Sequence, residues 1–120
     1  MKRLLCTAWM TLACTVTEGP SPTTATWDEP APTDELEAGR RVWLTTCKRC
    51  HATGQAGAPR LGDREAWRPR MAQGEPTLLR HALEGFEGPA GTEMPARGGN
   101  PKLGDAEVLG ALHYMLSRSK

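Results

Sequence analysis

Five consecutive residues, Cys47-Lys48-Arg49-Cys50-His51, restrict what this chain can fold into more than any other feature of it. Two thiols separated by two residues, with an imidazole beside the second, admit three chemistries. A redox dithiol of the thioredoxin kind needs a strand–helix–strand context, and no β-branched strand run precedes Cys47. A structural zinc needs a fourth ligand, and the remaining histidines, His81 and His113, stand at no recognised spacing. Covalent attachment of a c-type haem uses all three residues at once. Both sulfurs add to the vinyl groups, and His51 offers its imidazole to the iron from the proximal side. The motif therefore predicts one covalently bound haem c and its iron.

That prediction also answers a shortage of bulk. The chain has 120 residues, of which 38% are apolar and only 5% aromatic, diluted by 13 Gly and 10 Pro. Small domains bury a low fraction of their surface, so a large flat apolar cofactor has to stand in for missing side chains. With 15 basic and 14 acidic residues the net charge is +1, which excludes a general nucleic-acid binder. No apolar run reaches the length of a membrane-spanning helix.

The N-terminus reads as a processing segment. Met1-Lys2-Arg3 is basic and Leu4 to Ala13 is mostly apolar, the pattern of an export signal over residues 1–13. Cys14 follows, which opens a lipoprotein reading with an acylated Cys14 as membrane anchor, although Thr11-Leu12 depart from the usual lipobox order. Residues 14–33 are a Pro/Thr-rich acidic tether with too few apolar groups to order themselves. Residues 34–120 form the domain, and export places it in the periplasm, free or anchored.

Within that domain the periodicity is helical. Asp34 caps a helix with Glu37 as its capping-box partner, and Leu36, Gly39, Trp43, either Thr46 or Cys47, and Cys50 share one face. Asp105 caps a last helix with a stripe of Val108, Leu109, Leu112, Met115 and Leu116. Gly39 and Gly110 each cost about 1 kcal/mol in mid-helix, and close approach of the two helices would justify both. Asp63 caps a short helix through Met71, interrupted or restarted at Pro69. Pro76 opens another, with Gly85 just past its end. Alternating strand patterns are absent, so the expected fold is all-α, four or so short helices wrapped around one haem.

A second axial ligand is expected on the distal side, from Met71, Met94, Met115, His81 or His113. Met115 lies on the apolar stripe and reads as core, His81 as a surface residue, and His113 as pointing to solvent. Met94 stands in a loop where Pro95 fixes the backbone and Gly98-Gly99 permit close approach, and is the preferred ligand. Pro59 offers its carbonyl to the Nδ1–H of His51. Trp67 and Arg70 are candidates to meet the haem propionates through N–H groups.

With these residues in place the chain resembles a class I monohaem c-type cytochrome, particularly the bacterial cytochrome c-five type. The matching pieces are Cys47–His51, Gly57-Ala58-Pro59, Leu61-Gly62-Asp63, Trp67 with Arg70, Met94-Pro95 followed by Gly98-Gly99, and His113-Tyr114-Met115. Gly39, Trp43 and Cys47 repeat the family's spacing before the first haem cysteine. One departure is that Asn100-Pro101-Lys102-Leu103 stands where that subgroup often carries a cysteine pair. The resemblance implies a periplasmic electron carrier ligated by His51 and Met94, with no catalytic residue and no open iron site. A haem-bearing subunit of a larger dehydrogenase or terminal oxidase is the alternative. Lys48, Arg49, Arg60, Arg64, Arg68 and Arg97 are placed to form a basic rim for redox partners with acidic docking surfaces, or simply a solvated face.

Overall fold

The computed structural model describes residues 33–120. The signal at 1–13, the anchor candidate Cys14 and the tether up to residue 32 lie outside the described residues. Helix α1 (Thr33–Val42) takes in the last tether residue and begins ahead of Asp34, which therefore sits in the first turn instead of capping it. A carboxylate there still meets the positive end of the helix dipole. Glu37 pairs with Arg40 at 3.3 Å and does not fold back as a capping partner.

The helix does not stop at Val42. It widens into a π turn over Trp43–Cys47 and continues as α2 (Lys48–His51). The hydroxyl of Thr45 donates to the Arg41 and Val42 carbonyls, 3.1 Å to each, which supports the loosened backbone. The extra residue in the turn rotates the register, so Thr46 and Cys47 both turn inward, where the helical period allowed only one of them.

Helix α3 (Arg64–Met71) is capped as its sequence predicts, Asp63 Oδ1 accepting from Ala66 N at 3.0 Å. Pro69 neither interrupts nor restarts it; so near the C-terminal end it removes a single backbone bond. Helix α4 (Glu75–Glu84) has Pro76 in its first turn and Gly85 at φ 91° past its end. A two-residue antiparallel pair follows, β1 (Phe86–Glu87) with β2 (Glu93–Met94), in the register Phe86 to Met94 and Glu87 to Glu93. An alternation of two residues is too short to show as a period, which is why no strand was expected. Helix α5 (Asp105–Ser119) is capped at Gly104, whose N–H donates to Glu107 Oε2 at 2.8 Å. Asp105, expected as the cap, instead accepts from Arg97 Nη2 at 2.6 Å.

The main contact is between α1 and α5. A Cβ on Gly39 would overlap the carbonyl carbon and oxygen of Gly110, whereas a Cβ on Gly110 would find Gly39 Cα at an ordinary 3.6 Å. Close approach thus accounts for Gly39 and not for Gly110. The core consists of Trp67, Leu78, Leu112, Tyr114, Met115 and Leu116, with Leu36, Trp43, Leu61 and Met71 packed against it. Two polar groups tie the periphery to it. Ser119, fully buried, accepts from Gly62 N at 3.0 Å and donates to the Met115 carbonyl at 2.8 Å. His113 does not face solvent: its ring nitrogens lie 3.1 Å from Glu35 and 3.3 Å from Glu75, because α1 and the start of α4 cover that face of α5.

Candidate haem site

The motif ends the helical run begun at Thr33, so its position follows from the α1–α5 crossing. Cys47, Cys50 and His51 all open onto one cavity of about 390 Å³ whose surface is mainly apolar. Cys47 and Cys50 form no disulfide among the described residues. Burial pushes the Cys47 thiol up to about 11, with the nearby Cys50 adding to the rise against a backbone hydrogen bond that lowers it. His51 is buried and its Nδ1 lies 2.8 Å from the Pro59 carbonyl. A carbonyl only accepts, so Nδ1 carries the proton and Nε2 is left as the nitrogen for a metal. Burial also holds the imidazole below its usual range, the Arg70 charge contributing, against the Pro59 bond that raises it. The neutral ring is the form that binds iron.

The structure brings every expected site residue to this cavity: Pro59, Trp67, Arg70 and Met94 line it together with the motif. Two of them differ in detail from expectation. The Trp67 indole N–H, a candidate propionate donor, is committed to the Arg60 carbonyl at 2.9 Å, and the ring stands 6.0 Å from the His51 ring, nearly parallel. Arg70 uses one donor on the Ala66 carbonyl at 2.6 Å and keeps the rest of its fork for an anion. Among the distal candidates, Met71 and His113 do not reach the cavity, Met94 and Met115 do, and so does His81, expected at the surface and here half-buried. The stripe Leu78/Ala82 at three and four residues' spacing was the signal that placed His81 inward. Arg97, expected on the basic rim, is tied to Leu103 O at 2.7 Å and to Asp105. Lys48, Arg49, Arg60, Arg64 and Arg68 are exposed.

The donor set tests what the cavity suits. Among the described residues no group of three or more His, Cys, Asp or Glu is arranged to hold a bare metal ion. A mainly apolar chamber with two thiols and one oriented imidazole on its wall fits a flat metalloporphyrin. Fold and site together suit a domain that encloses a thioether-linked haem, one wall of its cavity made by one contiguous motif.

The chain belongs to the c-type cytochromes, of the class I monohaem kind. Residues 34–115 match the family described as cytochrome c oxidase, cbb3-type, subunit III. Cytochrome c-555 of Chlorobaculum tepidum is 48% identical over 86 residues, covering 72% of this chain and 79% of that one. Cytochrome c-555 of Chlorobaculum thiosulfatiphilum is 45% identical over 86 residues, covering 72% and 99%. Cytochrome c5 of Azotobacter vinelandii is 34% identical over 80 residues, covering 65% and 90%. Among solved structures, the crystal structure of an electron transfer complex of nitrite reductase with cytochrome c matches with a TM-score of 0.61 at 40% identity, over 69% of this chain and 95% of that one. Membership implies covalently bound haem c with iron, for which Cys47 and Cys50 suit the attachment. The chain is an electron carrier and not an enzyme: the haem would supply the one-electron couple, and the protein offers it a mainly apolar chamber.

Proposed function

We propose that the chain is a periplasmic one-electron shuttle whose iron is held by His51 and Met94. The observation that carries the axial pair is the make-up of the cavity wall. Of the methionines that reach it, Met115 is packed in the core at 5% exposure, whereas Met94 arrives half-buried at the end of β2. A thioether is a soft ligand that favours Fe(II), so this pair raises the reduction potential. The Pro59 hydrogen bond to Nδ1 orients His51 and strengthens it as a donor. Trp67 walls the chamber with its ring, and Arg70 supplies the cation for a propionate. With both axial positions filled by the protein, no open iron site is left for a substrate.

The exposed bases Lys48, Arg49, Arg60, Arg64 and Arg68 steer redox partners with acidic docking surfaces. A related cytochrome forms an electron transfer complex with nitrite reductase, and a small, short-lived encounter with such a redox enzyme suits a shuttle. The family description favours a second reading, a haem subunit fixed in an oxidase. Gel filtration of a native extract separates them, since a shuttle elutes near its monomer mass and a subunit with its complex. For the ligands, the ferric protein should show the far-red charge-transfer band of thioether–iron bonding, and Met94→Ala should abolish it; a band that survives in the variant refutes the assignment. Mass spectrometry of the mature protein reads haem attachment, cleavage after Ala13 and any acyl group on Cys14.

A further inference from the structure

We propose that His81 is a reserve axial ligand, whose imidazole takes the distal position when Met94 leaves the iron. The inference rests on the reading of Met94 as distal ligand and adds to it a second iron donor in the same chamber.

Three observations carry it. First, α4 turns Leu78, His81 and Ala82 onto the cavity wall, and Leu78 and Ala82 are buried. A residue between two such neighbours would be aliphatic if packing alone decided it. Second, neither nitrogen of His81 has a hydrogen-bond or ion-pair partner among the described residues. Its ring contact is Phe86, with centroids 4.2 Å apart and planes 29° off parallel. A half-buried imidazole with both nitrogens unpaired retains a full donor pair for a metal. Third, Phe86 is the direct ladder partner of Met94. Side chains opposite one another in an antiparallel pair share a face, with Cβ atoms about 5 Å apart. Phe86 thus stacks on the His81 imidazole and pairs with Met94 in the ladder, and all three residues line one chamber.

The two donors are held differently. His81 stands in the last turn of α4, on regular helical backbone beside the buried Leu78 and Ala82. Met94 precedes a turn over Ala96–Gly99 in which Arg97, Gly98 and Gly99 all have positive φ, a left-handed run that costs backbone energy at Arg97. The thioether is therefore the donor with the easier exit. Imidazole binds haem iron in either oxidation state, so capture by His81 keeps the iron closed to small ligands.

The test is the ferric and ferrous holoprotein of Met94→Ala. Its ferric form should lose the far-red thioether band yet stay low-spin, with the near-infrared charge-transfer band of bis-imidazole haem. Adding His81→Ala should make it high-spin and raise its apparent affinity for cyanide or carbon monoxide about tenfold or more, because an internal ligand scales that affinity by the fraction of open iron. His81→Ala alone should keep the thioether band. Should Met94→Ala fail to load haem, Met94→Leu, which preserves volume, is read in the same way. High-spin spectra and equal ligand affinities with and without His81 would overturn the proposal while leaving Met94 ligation intact. A wild-type spectrum that Met94→Ala leaves unchanged would instead remove the Met94 reading itself, and this inference with it.

Discussion

Replacing Gly39 and Gly110 separately with alanine probes the α1–α5 crossing on which the haem motif hangs. The sequence treats the two glycines alike, as mid-helix residues each about 1 kcal/mol worse than alanine, but their surroundings differ. At Gly39 a Cβ would fall inside the Gly110 carbonyl and lie 3.1 Å from Ala111 N, all of it backbone that cannot rotate aside. The helices would have to part by the order of an ångström, and gaps of that size forfeit about a quarter to a half of each dispersion contact across the interface. Overpacking of this kind costs about 1–3 kcal/mol and sometimes more, so after the helix-propensity gain Gly39→Ala should lose about 1–2 kcal/mol. At Gly110 the same atom meets Gly39 Cα at 3.6 Å and Glu35 O at 4.0 Å, ordinary contacts that leave the propensity gain of about 0.5–1 kcal/mol uncancelled. The two variants should differ by about 2–3 kcal/mol, which for a domain of this size is a Tm difference of about 8–24 °C. Thermal melts of the haem-loaded proteins followed by circular dichroism measure it. Equal melting temperatures, or a Gly39→Ala protein more stable than Gly110→Ala, would refute the packing argument.

Other perturbations act at single contacts. Arg97→Ala removes the bonds that tie the Met94 loop to Leu103 and Asp105; the pair is partly exposed, so we expect about 1 kcal/mol of loosening, seen as about fivefold faster cyanide binding, and an unchanged rate would show that the loop does not need the clamp. Ser119→Ala strands the Gly62 N–H beneath the end of α5 and should cost about 1–3 kcal/mol in denaturant unfolding, with faster hydrogen exchange at Gly62; slow exchange there would mean that another acceptor takes over. Two tryptophans should respond oppositely to phenylalanine. Trp67→Phe breaks a hydrogen bond to the Arg60 carbonyl and should lose about 1–2 kcal/mol, whereas Trp43 Nε1 is buried with no hydrogen-bond partner among the described residues, so Trp43→Phe should be neutral within about 0.5 kcal/mol or stabilising; a larger loss at Trp43 than at Trp67 would contradict this.

The proximal side of the site was legible because its parts are contiguous or locally coded. Cys47, Cys50 and His51 are one peptide, Pro59 follows within one loop, and the Asp63 cap, the Pro76 start and the Gly85 stop are each set by backbone chemistry over three or four residues. What escaped were features that depend on a partner distant in sequence. His113 reads as solvent-facing on its own helix, and only the packing of α1 and α4 turns it into a link between Glu35 and Glu75. Arg97 reads as one more surface base until Leu103 and Asp105 are brought to it. The extra residue of the π turn over Trp43–Cys47 carries no propensity signal, yet it lets Thr46 and Cys47 both turn inward.

The distal wall shows the limit of periodicity most clearly. It is assembled from α4, the β1–β2 pair and the turn over Ala96–Gly99, and within each piece the pattern reports only that a face is covered, not by what. A stripe such as Leu78/His81/Ala82 looks the same whether it packs on a helix or on a porphyrin. Only the histidine departs from what a protein core would select, since the half-buried imidazole turns polar nitrogens toward the cavity and is best placed where something polar or metallic meets them. A polar residue on an otherwise aliphatic stripe is therefore the one local mark by which a cofactor-facing surface differs from a core-facing one, and His81 bears that mark beside Met94.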